Sequence, residues 1–230
     1  MSLIQVNHLS YQYRTKAETV LAVRDVTAEF EAGRLYAIVG KSGSGKTTLL
    51  NLLAGLDEPS EGEILFLKTP LSKLDRSQYR RSKVSVIYQS YNLMAQLTVT
   101  ENVMLPLLLN KTSKKEAKSL AQVALKRVEL PKSTFNRLPA LLSGGEQQRV
   151  AIARALATGG EVILADEPTG NLDKENGDNV ISILKKLAHE NNLCVIVVTH
   201  DTSVAERADT VFTMSDGRLT PSSTGNLKKC

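Results

Sequence analysis

The run Gly40-Lys41-Ser42-Gly43-Ser44-Gly45-Lys46-Thr47 constrains this chain more than any other feature. It matches G-x-x-x-x-G-K-[ST] completely, and it sits between the short apolar run Leu35-Tyr36-Ala37-Ile38-Val39 and the helical pattern Thr48-Leu49-Leu50-Asn51-Leu52-Leu53. A buried strand, a glycine-rich turn and a helix start are what a phosphate-cradling loop requires. The glycines let successive backbone N–H groups curl around phosphate oxygens, and the helix N-terminus adds positive potential. The lysine then reaches the terminal phosphates and the threonine hydroxyl is placed for a divalent cation.

The surrounding pattern is that of an α/β domain with a largely parallel sheet. Residues 84–88, 162–165 and 193–198 are further short apolar runs of the buried-strand kind. Residues 20–30 alternate enough for a half-buried, antiparallel strand near the start. From about residue 98 to 158 the pattern is helical with no strand between. Thr98…Glu101 and Ser113…Glu116 both have capping-box spacing there. We therefore expect an α/β core over about 1–95 and 159–219, a helical arm inserted over about 96–158, and a loose tail over 220–230.

A net charge of +5 would suit nucleic acid or an anionic membrane surface. The basic residues are scattered, however, and the densest group, residues 111–118, includes Glu116, so a solvated surface is expected and no nucleic-acid partner. Two cysteines do not make a disulfide framework, which fits a reducing cytoplasm: Cys194 reads as a small buried hydrophobe, and nothing assigns a role to Cys230. No uncharged apolar stretch approaches the ~20 residues that a membrane-spanning helix needs.

Two more segments carry chemistry. The run Val162-Ile163-Leu164-Ala165 ends in Asp166-Glu167. Adjacent carboxylates at the end of an apolar strand are costly without a task or a cation. Asp166 suits a hydrated Mg²⁺, leaving Glu167 to orient and polarise a water. The segment Leu142-Ser143-Gly144-Gly145-Glu146-Gln147-Gln148-Arg149 has capping-box spacing from Ser143 to Glu146, which alone would merely start the helix of residues 150–157. Two glycines inside that box each lower helix propensity by up to ~1 kcal/mol relative to Ala. They suit a helix start that must press bare N–H groups onto a phosphate.

Residues 142–149 resemble the signature motif of ATP-binding-cassette (ABC) proteins, and further family motifs follow in order along nearly the whole chain, from about Ile4 to Leu219. Gln89 resembles the Q-loop glutamine, Asn171-Leu172-Asp173 the D-loop, His200 the switch histidine, and Tyr13 the aromatic that stacks on adenine, although Tyr11 lies two residues away on the same strand face. Lys41, Thr47 and Tyr88 stand where Pro, Ser and Phe are frequent, and Gly170-Asn171-Leu172-Asp173 replaces the widespread Ser-Ala-Leu-Asp. Residues 165–173 resemble one branch, that of the MacB-, LolD-, BceA- and FtsE-type ATPases.

The resemblance implies an ABC-type nucleotide-binding domain with ATP and Mg²⁺ as cofactors. It implies a head-to-tail dimer, either with itself or with a second ABC ATPase subunit, holding two ATPs between chains. One chain would supply Tyr13, Gly40, Lys41, Ser42, Gly43, Ser44, Gly45, Lys46, Thr47, Thr48 and Gln89 to the nucleotide. Thr47, Gln89 and Asp166 would hold the metal, and Glu167 and His200 would be catalytic. The other chain would supply Ser143, Gly144 and Gly145, with Asp173 coupling the two sites. The implied partner is an integral membrane permease, and the implied location is peripheral on the cytoplasmic face of the cell membrane. The expected work is export or extraction of a peptide, lipoprotein or drug; an FtsE-like regulatory ATPase that moves no substrate is the alternative.

Overall fold

The computed structural model describes residues 2–14 and 18–222. Two sheets share the core. The first is antiparallel, in the order β2–β1–β4–β5, from β1 (Ser2–Arg14), β2 (Thr19–Glu31), β4 (Glu61–Phe66) and β5 (Thr69–Pro70). The alternation over residues 20–30 belongs to β2, which pairs antiparallel with β1 as expected. The second sheet has the order β10–β9–β3–β8–β7–β6, from β3 (Arg34–Val39), β6 (Val84–Ile87), β7 (Val162–Asp166), β8 (Cys194–Thr199), β9 (Thr210–Ser215) and β10 (Arg218–Ser222). Its strands are parallel except for the β9–β10 hairpin.

The continuous apolar runs end up where both faces of the sheet are covered. In β8 every residue is buried, and successive side chains point to opposite faces. Val195 and Val197 join a cluster built on α3 (Val99–Leu109), α4 (Lys114–Arg127), α5 (Gly144–Ala157) and α6 (Lys174–Asn191). Cys194, Ile196 and Val198 face the antiparallel sheet and α1 (Lys46–Leu53). Burial pushes the Cys194 thiol up to about 12, the behaviour of a packed hydrophobe rather than a nucleophile.

Between β6 and β7 the chain runs through α3, α4 and α5 with no strand among the described residues. Thr98 makes a full capping box with Glu101, whereas Ser113 only accepts the Glu116 amide. Helix α5 starts at Gly144, six residues before the expected apolar run, because Ser143 and Glu146 close a complete box around the two glycines. The tail departs from expectation: Thr220 to Ser222 are not loose but pair with β9 in β10, which forms that edge of the sheet. The rest of the tail, including Cys230, lies outside the described residues.

Two shorter helices complete the fold, α2 (Arg76–Ser82) and α7 (Thr202–Ala205). Helices α2 to α7 all begin at a residue whose side chain accepts a backbone N–H: Asp75, Thr98, Ser113, Ser143, Asp173 and Asp201. Helix α1 differs. It begins at Gly45 with no side-chain cap and no acid in its first turn, so its leading N–H groups remain available.

Candidate nucleotide site

The carboxyl ends of the parallel strands meet at one edge of the sheet, the edge where open α/β sheets bind ligands. The register pairs Val39 with Thr199, Asp166 with Val198, and Ile87 with Ala165. The residues that follow those ends, Gly40, Glu167, His200 and Gln89, are therefore brought to one edge although they are far apart in sequence. Glu167, His200 and Gln89 border a cleft of about 870 Å³ lined also by Tyr13, Lys41, Ser42, Gly43, Gly45, Lys46, Thr47, Thr48 and Asp166, among others.

Gly40 and Ser44 line a smaller hollow behind the loop, facing the β9–β10 turn, and not the cleft. There the Ser44 hydroxyl is buried with no hydrogen-bond partner among the described residues. Gly45 is required by geometry: its φ is +103°, and a Cβ would lie 2.2 Å from the Ala22 carbonyl oxygen. The loop thus presses against β2 and opens α1 without a cap.

An anion with several oxygens fits this arrangement. The uncapped N–H groups of α1 and the Lys46 ammonium face the cleft floor, and the ammonium now donates to the Gly40 and Lys41 carbonyls at 2.8 and 3.0 Å. Burial lowers the pKa of Lys46, opposed by the carboxylates of Glu167 and Asp166. A divalent cation fits beside it: Thr47 Oγ1 donates to Asp166 Oδ1 at 3.3 Å, and burial raises the pKa of Asp166. Among the described residues no three His, Cys, Asp or Glu side chains converge, so a cation here would complete its shell with phosphate and water oxygens, as Mg²⁺ does.

Glu167 adopts φ +46°, a costly conformation for a residue with a side chain and one that often marks functional positions. Its Oε2 accepts from Thr199 Oγ1 at 2.9 Å and from the His200 backbone N–H at 3.4 Å, while its Oε1 lies 2.9 Å from His200 Nδ1. Tyr13, not Tyr11, reaches the cleft. Its hydroxyl shares a 3.2 Å hydrogen bond with Thr48, and the Tyr11 ring packs edge-on against it.

Gln89 and Asn171 form a reciprocal pair. Asn171 Nδ2 donates to the Gln89 carbonyl at 3.1 Å, and Gln89 Nε2 donates to Asn171 Oδ1 at 3.3 Å. Because a backbone carbonyl can only accept, it fixes the orientation of the Asn171 amide, and Asn171 in turn fixes that of Gln89.

Ser143, Gly144, Gly145 and Asp173 are not brought to this cleft. Asp173 caps α6, accepting from the Asn176 amide N–H and side chain, which lower its pKa. Ser143 is exposed at the start of α5. The glycines after it have an intrachain reason that the propensity argument lacked: a Cβ on Gly144 would lie 2.9 Å from the Tyr91 hydroxyl, and one on Gly145 would lie 2.4 Å from Asn176 Oδ1.

Sequence reasoning missed the far wall of the cleft, formed by Val20, Leu21, Ala22, Arg24, Asp216 and Gly217. The Arg24 amide donates to the Gly217 carbonyl across 2.8 Å, stitching β2 to the β9–β10 turn. The Asp216-Gly217 dipeptide is a hairpin signal that would have located this wall.

Residues 23–170 match the family model described as ABC transporter. The chain is 38% identical over 220 residues to YclH, an ABC transporter ATP-binding protein of Bacillus subtilis, covering 96% of both chains. It is 44% identical to the macrolide export ATP-binding/permease protein MacB 2 of Aeromonas hydrophila, covering 94% of this chain but 34% of that longer protein. Among solved structures it is similar to a dimeric form of the ABC transporter cassette MJ0796, with a TM-score of 0.87, 38% identity, and coverage of 96% of this chain and 98% of that one. A post-hydrolysis dimer of the same cassette bound to ADP and Pi aligns equally well, at a TM-score of 0.87 and 37% identity over 96% and 98%. This chain belongs to the ATP-binding proteins of the ABC transporter family.

Proposed function

We propose that this chain binds and hydrolyses ATP between two cassettes, itself paired with a second copy or with a second ABC ATPase subunit, and so drives a separate membrane permease. One observation carries the reading. The phosphate loop, Gln89, Asp166, Glu167 and His200 share a cleft, while the exposed helix start at Ser143 does not line it. A second chain that docks its Ser143 segment over the cleft supplies the missing wall. The dimeric MJ0796 structures, one of them with ADP and Pi, support this arrangement.

Each side chain then has a task. The N–H groups opening α1 and Lys46 bind the β- and γ-phosphates, and Tyr13 stacks on the base. Thr47, Asp166 and Gln89 are the residues that would hold Mg²⁺, which when bound offsets phosphate charge. Glu167 accepts a proton from water as the water oxygen attacks the γ-phosphorus and ADP departs. His200 turns from Glu167 toward the γ-phosphate. The partner's capped helix start offers the Ser143 O–H, whose oxygen already accepts the Glu146 amide at 3.2 Å. Loss of the γ-phosphate removes contacts that hold the two halves together, and Asp173 and Gln89 sit on the loops that move with that separation.

No helix among the described residues is long and apolar enough to cross a membrane, which fits work at the cytoplasmic face through a permease. The expected work is export or extraction of a drug, peptide or lipoprotein; of these, the MacB 2 relative, named as an ATP-binding/permease protein for macrolide export, supports export of a drug. The test is phosphate release by the purified chain in Mg²⁺ and ATP. Specific activity should rise with protein concentration, because each site needs two chains. Activity per chain that does not change with dilution would contradict the shared site.

A further inference from the structure

Thr199 ends β8 as a fully buried polar residue, one position before His200. Its hydroxyl stands between two groups whose roles are fixed. The Asp201 backbone N–H can only donate, and it donates to Thr199 Oγ1 at 3.0 Å. The Thr199 proton is therefore directed to its other neighbour, Glu167 Oε2, at 2.9 Å. The two oxygens of Glu167 are thereby unlike. Oε2 is tied to a buried hydroxyl on a strand and to the His200 backbone N–H at 3.4 Å, whereas Oε1, among the described residues, faces only the imidazole of His200, whose side chain is 68% exposed.

From this geometry we infer that Thr199 is a positioning residue for Glu167. It anchors Oε2 to the end of β8, so that when His200 turns away Oε1 is the oxygen presented to the attacking water. Two further restraints fit this role. The Glu167 backbone N–H donates to the Val198 carbonyl at 2.9 Å, and its φ of +46° aims the side chain back at the strand next door. A carboxylate held by backbone at one end and by a buried hydroxyl at the other reaches the transition state without an ordering cost, the condition under which orientation contributes most to rate. Thr199 touches neither nucleotide nor water in this arrangement. Its removal should leave ATP affinity alone and act on turnover.

The inference rests on the reading of Glu167 as the base, so the experiment includes Glu167→Gln. Steady-state ATPase kinetics and nucleotide binding are measured for the full chain and for Thr199→Val, Thr199→Ala and Thr199→Ser. Val keeps the branched shape that suits a buried strand while deleting the hydroxyl. In Thr199→Val and Thr199→Ala, kcat should fall by about tenfold, in line with the loss of one buried hydrogen bond to a charged group. KM and ATP binding should stay within about twofold, and Thr199→Ser should recover most of the turnover.

Wild-type kcat in Thr199→Val would overturn the inference. So would a Thr199→Ser protein as slow as Thr199→Val, because the defect would then follow shape and not the hydroxyl. If Val disturbs packing, seen as lost ATP binding, the Ala and Ser pair decides: equal kcat in the two overturns the inference. If Glu167→Gln turns over normally, the underlying reading of the site fails instead, whatever the Thr199 variants do.

Discussion

The ammonium of Lys46 lies 2.8 Å from the carbonyl oxygen of Gly40, six residues back in its own loop. The loop therefore closes on its own lysine, and a phosphate must take over those hydrogen bonds as it binds. Charge-assisted bonds of this kind are stronger than neutral ones. Lys46→Ala should weaken ATP binding by about ten- to a hundredfold. Because the Lys46 side chain is buried against the loop, the fold should survive with a modest loss of stability. Titration with a fluorescent ATP analogue, alongside urea unfolding, separates the two effects.

Ser143 tests the shared site from the other side. It is exposed, and its hydroxyl oxygen accepts the Glu146 amide at the start of α5. Ser143→Arg adds bulk and charge at an exposed position that does not line the chain's own cleft. Turnover should fall to background while binding of ATP to a single chain stays within about twofold of wild type. Mixing the variant with a Lys46→Ala chain should restore some hydrolysis, since a mixed dimer keeps one complete site. Unimpaired hydrolysis by Ser143→Arg alone would remove the partner role of this segment.

Much of this site was legible because its motifs are contiguous. The phosphate loop, the acidic strand end at Asp166 and Glu167, and the box at Ser143 each announce their local chemistry within eight residues. What the sequence hid depends on register. Thr199 looks like the last residue of an apolar run, and only the pairing of Asp166 with Val198 sets its hydroxyl against Glu167. Asn171 is legible as part of a D-loop-like motif, but nothing in the sequence shows that its amide clasps Gln89.

The antiparallel sheet was half-visible for a related reason. Bulges interrupt β1 at several points along β2, and Gly62 is the second residue of the short β4, so clean alternation is lost there. The glycines at 144 and 145 carried a signal with two sources. Both pack closely against side chains of their own chain, and a Cβ at either would have to push Tyr91 or Asn176 aside even before a partner's phosphate is considered.

Acid stability offers a check on packing away from the site. Asp209 is held below its ordinary value of 3.8: burial opposes its charge, but the Leu35 amide, His189 and Lys185 outweigh that penalty. The Leu35 N–H and His189 Nε2 both lie 2.8 Å from its Oδ2. A carboxylate with a lowered folded-state pKa contributes stability above 3.8 and loses it as the pH falls through the lower folded value. Asp209→Asn should therefore be less stable near neutral pH and show a flatter loss below about pH 4. Urea midpoints measured across that range report the difference.

The central claim is that a triphosphate joins two chains and that cutting it parts them. Its most direct measurement is the mass in solution of Glu167→Gln with Mg²⁺ and ATP, by sedimentation or light scattering. The variant should bind ATP, release almost no phosphate and accumulate as a dimer that ADP does not support. A Glu167→Gln chain that stays monomeric while saturated with ATP, in the presence of its partner cassette if it has one, would contradict the account.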